Sequence, residues 1–125
     1  MFDLTPEEAR LLLNVALMAT GRNRFKSAAK ILAVLERFRP DQVSVANAKV
    51  IALISALKFE EAVAYIDTEG SALFPQDAML KAFKGMALMR LGRTDAAAEA
   101  LRAVAGSDDP AAAQMARDLL VDLEK

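Results

Sequence analysis

The sequence predicts an all-α fold: three helix hairpins stacked into a short solenoid, with a C-terminal helix closing it. Apolar residues recur at steps of three and four along nearly the whole chain, the spacing that lines one face of a helix. No stretch alternates with period two for long enough to argue a strand, and β-branched residues are sparse. Helix starts and stops punctuate the 125 residues at regular intervals.

The first helix opens at Thr5-Pro6-Glu7-Glu8, where Thr5 can cap, Pro6 needs no amide partner and Glu8 can return a capping-box bond. Leu12, Leu13, Ala16, Leu17 and Thr20 then follow at helical steps to Gly21, expected to stop the helix in the left-handed conformation. A second helix is expected from about Arg24 through Phe38, with Phe25, Ala28, Ala29, Leu32, Leu35 and Phe38 on its apolar side and Pro40 ending it. Asp41 is expected to cap a third over residues 42–57. A shorter fourth covers 59–67, before Thr68-Glu69-Gly70-Ser71 loosens the chain.

Pro75 and Asp77 restart it, and the fifth helix is expected over 77–90, ending near Gly92. Thr94 is expected to cap a sixth running through Ala105. The last begins at Ser107-Asp108-Asp109-Pro110, where a capping acid stands directly before a first-turn proline.

These helices come in equivalent pairs. Arg24-Phe25-Lys26-Ser27-Ala28, Lys58-Phe59-Glu60-Glu61-Ala62 and Arg93-Thr94-Asp95-Ala96-Ala97 align as a turn entering a helix, and their final alanines lie 34 and 35 residues apart. A helix hairpin repeated at that period cannot bury its apolar face alone and stacks on its neighbours. One domain is expected over 1–125, with repeats at about 6–40, 41–75 and 76–109 and a closing helix at 110–124. Small alanines at helical spacing also suit a plain antiparallel bundle.

Composition excludes several roles. The 16 basic and 17 acidic side chains leave a net charge of −1 and are mixed along the chain, so the basic stripe that drives nucleic-acid affinity is missing. Apolar stretches such as residues 50–57 are far shorter than the roughly 20 residues of a membrane span. The opening Met1-Phe2-Asp3-Leu4 is acidic and carries no signal-peptide pattern, so a cytoplasmic location is expected. Lacking His and Cys, the chain has no imidazole base, thiolate nucleophile or common zinc site. The acidic pairs Glu60-Glu61 and Asp108-Asp109 stand at helix starts, where the macrodipole favours negative charge. Catalysis, a metal and a cofactor are not expected. Apolar residues nevertheless make up 54% of the chain, more than its interior needs.

The third unit, Gly85-Met86-Ala87-Leu88-Met89-Arg90-Leu91-Gly92-Arg93-Thr94-Asp95-Ala96-Ala97-Ala98-Glu99-Ala100-Leu101, resembles a tetratricopeptide repeat, with Gly85 where the first helix packs closely and Ala97 where the second needs a small side chain. Ala16, Ala28, Leu32 and Pro40 fit the same scheme in the first unit, although Leu12 and Ala19 replace the family's large aromatics. In the second unit Ala62 fits, and Pro75 sits one residue late.

The resemblance implies that the first helix of each pair lines a concave, protein-binding side. The residues so placed are Arg10, Leu13, Leu17 and Thr20, then Ser44, Asn47, Ile51 and Ile54, then Met79, Ala82, Met86, Met89 and Arg90. An apolar surface of this kind suits an amphipathic helix, and methionines repack around an imperfect fit. A Met and Leu stripe of this kind equally suits a buried core. The cationic clamp by which some tetratricopeptide domains grip a terminal carboxylate is not supplied, because Leu13 and Leu17 stand at its positions and only Asn47 and Arg90 are polar.

A narrower resemblance lies in Leu17-Met18-Ala19-Thr20-Gly21, Leu35-Glu36-Arg37, Val50-Ile51-Ala52-Leu53, Phe59-Glu60-Glu61-Ala62-Val63-Ala64-Tyr65 and Gly106-Ser107-Asp108-Asp109-Pro110-Ala111. Together these look like the needle-subunit chaperones of bacterial type III secretion. That family implies a cytoplasmic protein that clasps a helix of the needle subunit against premature polymerisation before its transport, a virulence function, with a second small helical co-chaperone on the first repeat. The alternatives are a general tetratricopeptide scaffold and a self-associating adaptor that forms a homo-oligomer when no partner is present.

Overall fold

The computed structural model describes residues 3–125, and among these it is all-helical, with no strand. Met1 and Phe2, which begin the acidic opening stretch, lie outside the described residues. The elements are α1 (Pro6–Gly21), α2 (Phe25–Phe38), α3 (Val43–Ser55), α4 (Phe59–Tyr65), a π-helical turn (Ile66–Gly70), α5 (Ser71–Leu73), α6 (Ala78–Arg90), α7 (Thr94–Ala105) and α8 (Pro110–Leu123).

Two of the helix starts, those of α1 and α8, are built as their sequences predict, and at a third, α6, Asp77 caps the helix instead of beginning it. At α1 the Thr5 hydroxyl accepts the Glu8 amide at 3.1 Å and the Glu8 carboxylate accepts the Thr5 amide at 3.0 Å, a complete capping box. Asp77 accepts the Leu80 amide at 2.9 Å to open α6, and Asp109 accepts the Ala112 amide at 3.1 Å to open α8 ahead of Pro110. Each satisfies one amide that the first helical turn leaves without a partner.

Four expectations are corrected. Gln42 rather than Asp41 is the N-cap of α3, because the Gln42 carbonyl accepts the first helical bonds, from Val45 and Ala46. Thr94 lies inside α7, whose N-cap is Arg93. The left-handed residue after α1 is Asn23, at φ 60°, while Gly21 belongs to the helix. The segment 68–71 is helical, because the Thr68 hydroxyl bonds back to the Ala64 carbonyl at 2.7 Å and both Ile66 and Gly70 are buried, so packing overrides the local turn propensity. There the Ser71 amide reaches the Ile66 carbonyl five residues back, which widens the helix for one turn.

The turns that enter α2, α4 and α7 are copies of one another. Asn23, Leu57 and Gly92 take φ of 60°, 62° and 78° and lie 34 and 35 residues apart. Their amides bond the carbonyls of Thr20, Ile54 and Met89, in each case at 3.0 Å. In the first and third turns the next amide also reaches five residues back, Arg24 to Ala19 and Arg93 to Leu88, completing Schellman caps. Arg24, Lys58 and Arg93 then become N-caps with nearly equal dihedrals, φ −93°, −96° and −88°. Since each also ends the preceding turn, no separate capping residue fits between the helices.

The chain forms two compact units, one ending at Leu57 and the other beginning at Lys58. In the first, α3 packs against both α1 and α2. Its core joins Leu4, Ala16, Leu32, Leu35, Val45 and Ala48, while Ala29, expected on the apolar side of α2, is exposed. A Lys49–Glu36 ion pair at 3.2 Å ties α3 to α2. In the second unit α8 packs against both α6 and α7 in the same way, over a core of Ala82, Leu101, Val104, Ala112 and Ala116. Gly85 lies against Leu101 across the α6/α7 pair, and α4 packs on α6.

Candidate protein-binding surface

Within the first unit, α1 and the start of α3 enclose a cleft of about 430 Å³ lined by Pro6, Ala9, Arg10, Leu13, Arg39, Gln42, Ser44 and Val45. The structure thus brings together three residues expected on the inner face: Arg10, Leu13 and Ser44. The α2/α3 turn supplies Arg39, whose Nη2 donates to the Leu4 carbonyl and whose buried Nε has no hydrogen-bond partner among the described residues. A cleft lined by both apolar side chains and guanidinium groups can seat an apolar side chain and a neighbouring acceptor together.

The remaining expected residues divide. Leu17 is 38% exposed, and Ile51 and Ile54 are half-buried on α3. Thr20 is buried and donates its hydroxyl to the Ala16 carbonyl at 3.0 Å, so it serves α1 itself. Asn47 is half-buried, with its side-chain amide donating to the Val43 carbonyl at 3.1 Å.

In the second unit Met86 is half-buried and Arg90 exposed. Met79 and Met89 are half-buried against the cluster that contains Ala112 and Ala116 of α8, and Ala82 is wholly buried at its centre. The expectation that Ala82 faces a ligand is therefore corrected: a small residue in the α6 interior lets α7 and α8 approach, and it has no surface to offer.

Glu60 pairs with Arg93 at 2.5 Å, and Asp109 caps α8. Among the described residues no group of three or more acidic side chains could hold a metal ion, and no helix is long and apolar enough to cross a membrane.

One surface escaped the sequence reading. Leu11, Val15 and Met18 are 63%, 41% and 59% exposed on the side of α1 turned from the core. Their signal was the Leu11-Leu12-Leu13 run followed by Val15 and Met18, which makes α1 apolar on two sides where one contact face needs only a single stripe.

Compared with models of known protein families, with characterised proteins and with solved structures, the chain matches none.

Proposed function

We propose that this chain is a protein-binding scaffold of tetratricopeptide type, whose inner helices hold a helical segment of another protein. The observation that carries the reading is the threefold recurrence of one turn geometry at Asn23, Leu57 and Gly92, each followed after five residues by a fully buried alanine, Ala28, Ala62 and Ala97. The close approach of Gly85 to Leu101 adds the small-residue packing expected of such a repeat. Repeats of this kind present surfaces for other chains, while their cores set only spacing and curvature.

In the first unit the binding residues are Arg10, Leu13, Leu17, Ile51 and Ile54. Each buried aliphatic anchor contributes about 1.5–3 kcal/mol before ordering costs, so a few suffice for a stable complex. In the narrower form of the proposal the partner is the needle subunit of a type III secretion system, held in the cytoplasm until export. Its support is the residue-level resemblance together with the half-exposed apolar side chains of α3 and Met86 on α6. Charged substitution at Ile51 or Met86 tests the reading: complex formation is lost with helicity intact. Loss of helical circular dichroism instead would make these residues core and count against it.

A further inference from the structure

We infer that the outer face of α1 pairs with the same face of a second copy of this chain, antiparallel and about a twofold axis. This face is distinct from the inner surface, and the inference does not depend on what that surface binds.

Leu11, Val15 and Met18 follow at steps of four and three, which sets them in one row along α1. The row is extended four residues before Leu11 by Glu7 and four after Met18 by Arg22, both exposed. It therefore reads acid, apolar, apolar, apolar, base over the sixteen residues 7–22, a span of about 22 Å at helical rise. The core-facing residues of α1, Ala9, Leu12, Leu13 and Ala16, lie on the other side, so pairing along this row leaves the fold undisturbed.

The spacing makes the row self-complementary. Glu7 and Arg22 are centred between residues 14 and 15, and Leu11 and Met18 share that centre. An antiparallel copy turned about this point lays Leu11 against the partner's Met18, Val15 against Asn14, and Glu7 against Arg22, each contact made twice by symmetry. A parallel copy would set Glu7 beside Glu7 and Arg22 beside Arg22, so the end charges select the antiparallel register. A single helix face offers less than the roughly 800 Å² per chain of a standard interface, which makes this a reversible association seen at micromolar concentrations and above.

Sedimentation equilibrium from low to several hundred micromolar tests it, with circular dichroism as the fold control. The wild-type mass is expected to rise from 13.5 kDa towards twice that value, and Leu11→Asp is expected to stay monomeric. Glu7→Arg and Arg22→Glu, each alone, weaken dimerisation about tenfold because two attractive contacts become repulsive, and the two combined restore it. A wild-type chain that stays monomeric throughout would overturn the inference, as would a dimer indifferent to Leu11→Asp or to Met18→Asp. Single charge reversals without effect, or a double reversal that fails to rescue, would overturn the antiparallel register.

Discussion

A side chain on Gly85 would have its Cβ 2.5 Å from Cδ2 and 2.6 Å from Cγ of Leu101, which is itself fully buried. The obstructing atoms include the branch point of a core leucine, so no simple rotation clears them. Gly85→Ala gains helix propensity of about 1 kcal/mol but forces a core rearrangement of about 1–3 kcal/mol, and a net loss is expected in urea denaturation. Leu101→Ala alone costs about 2–5 kcal/mol. The double variant should lose less than the sum of the two, because the alanine at position 101 makes room for the new methyl.

At Leu57 a non-glycine residue holds a left-handed backbone, φ 62°, with its side chain 72% exposed. Left-handed geometry costs about 1–2 kcal/mol for an L-residue with a Cβ, partly offset by the extra freedom that glycine brings to the unfolded chain. Leu57→Gly is therefore expected to stabilise the protein by about 0.5–1 kcal/mol in thermal or urea unfolding, and Gly92→Leu at the equivalent turn to destabilise it comparably.

Hydrogen bonds from the Thr5 backbone and side chain lower the Glu8 pKa from its usual 4.5. Because the folded value is depressed, the stabilisation is present above the unfolded pKa and is lost as pH falls through the folded value. Carboxyl NMR titration should show Glu8 below an ordinary glutamate, and Thr5→Ala should raise it.

Asp109 and Asp77 each cap a helix through one amide. Alanine at either position is expected to cost about 1 kcal/mol, and asparagine far less, since its side-chain oxygen can accept the same bond. Equilibrium unfolding of the four variants separates the acceptor from the charge.

Much of this was legible because local chemistry and packing agreed. Thr5-Pro6-Glu7-Glu8 and Asp109-Pro110 carry their caps within a few residues, and the spacing of Ala28, Ala62 and Ala97 marked the buried position that the structure gives them. Legibility failed where tertiary packing decided. Leu57 bears no sign of a left-handed turn, since only its place in the repeat requires one. The Thr68 to Ser71 stretch has loop composition but is held helical by its buried neighbours. Ala82 and Thr20 had the right periodicity for an inner face, yet one lies in the core and the other bonds its own helix. The exposed row of α1 was hidden among leucines that also serve the core.

Capture of partners by the tagged protein from a lysate of its own cells, with Ile51→Asp beside it and bound chains identified by mass spectrometry, tests whether the chain is a protein-binding scaffold. The expected result is recovery of a small helical protein, a secretion subunit in the narrower form of the proposal, that is lost with Ile51→Asp while helicity is unchanged. Recovery of nothing but further copies of the chain itself, or of a partner indifferent to Ile51→Asp, would contradict it.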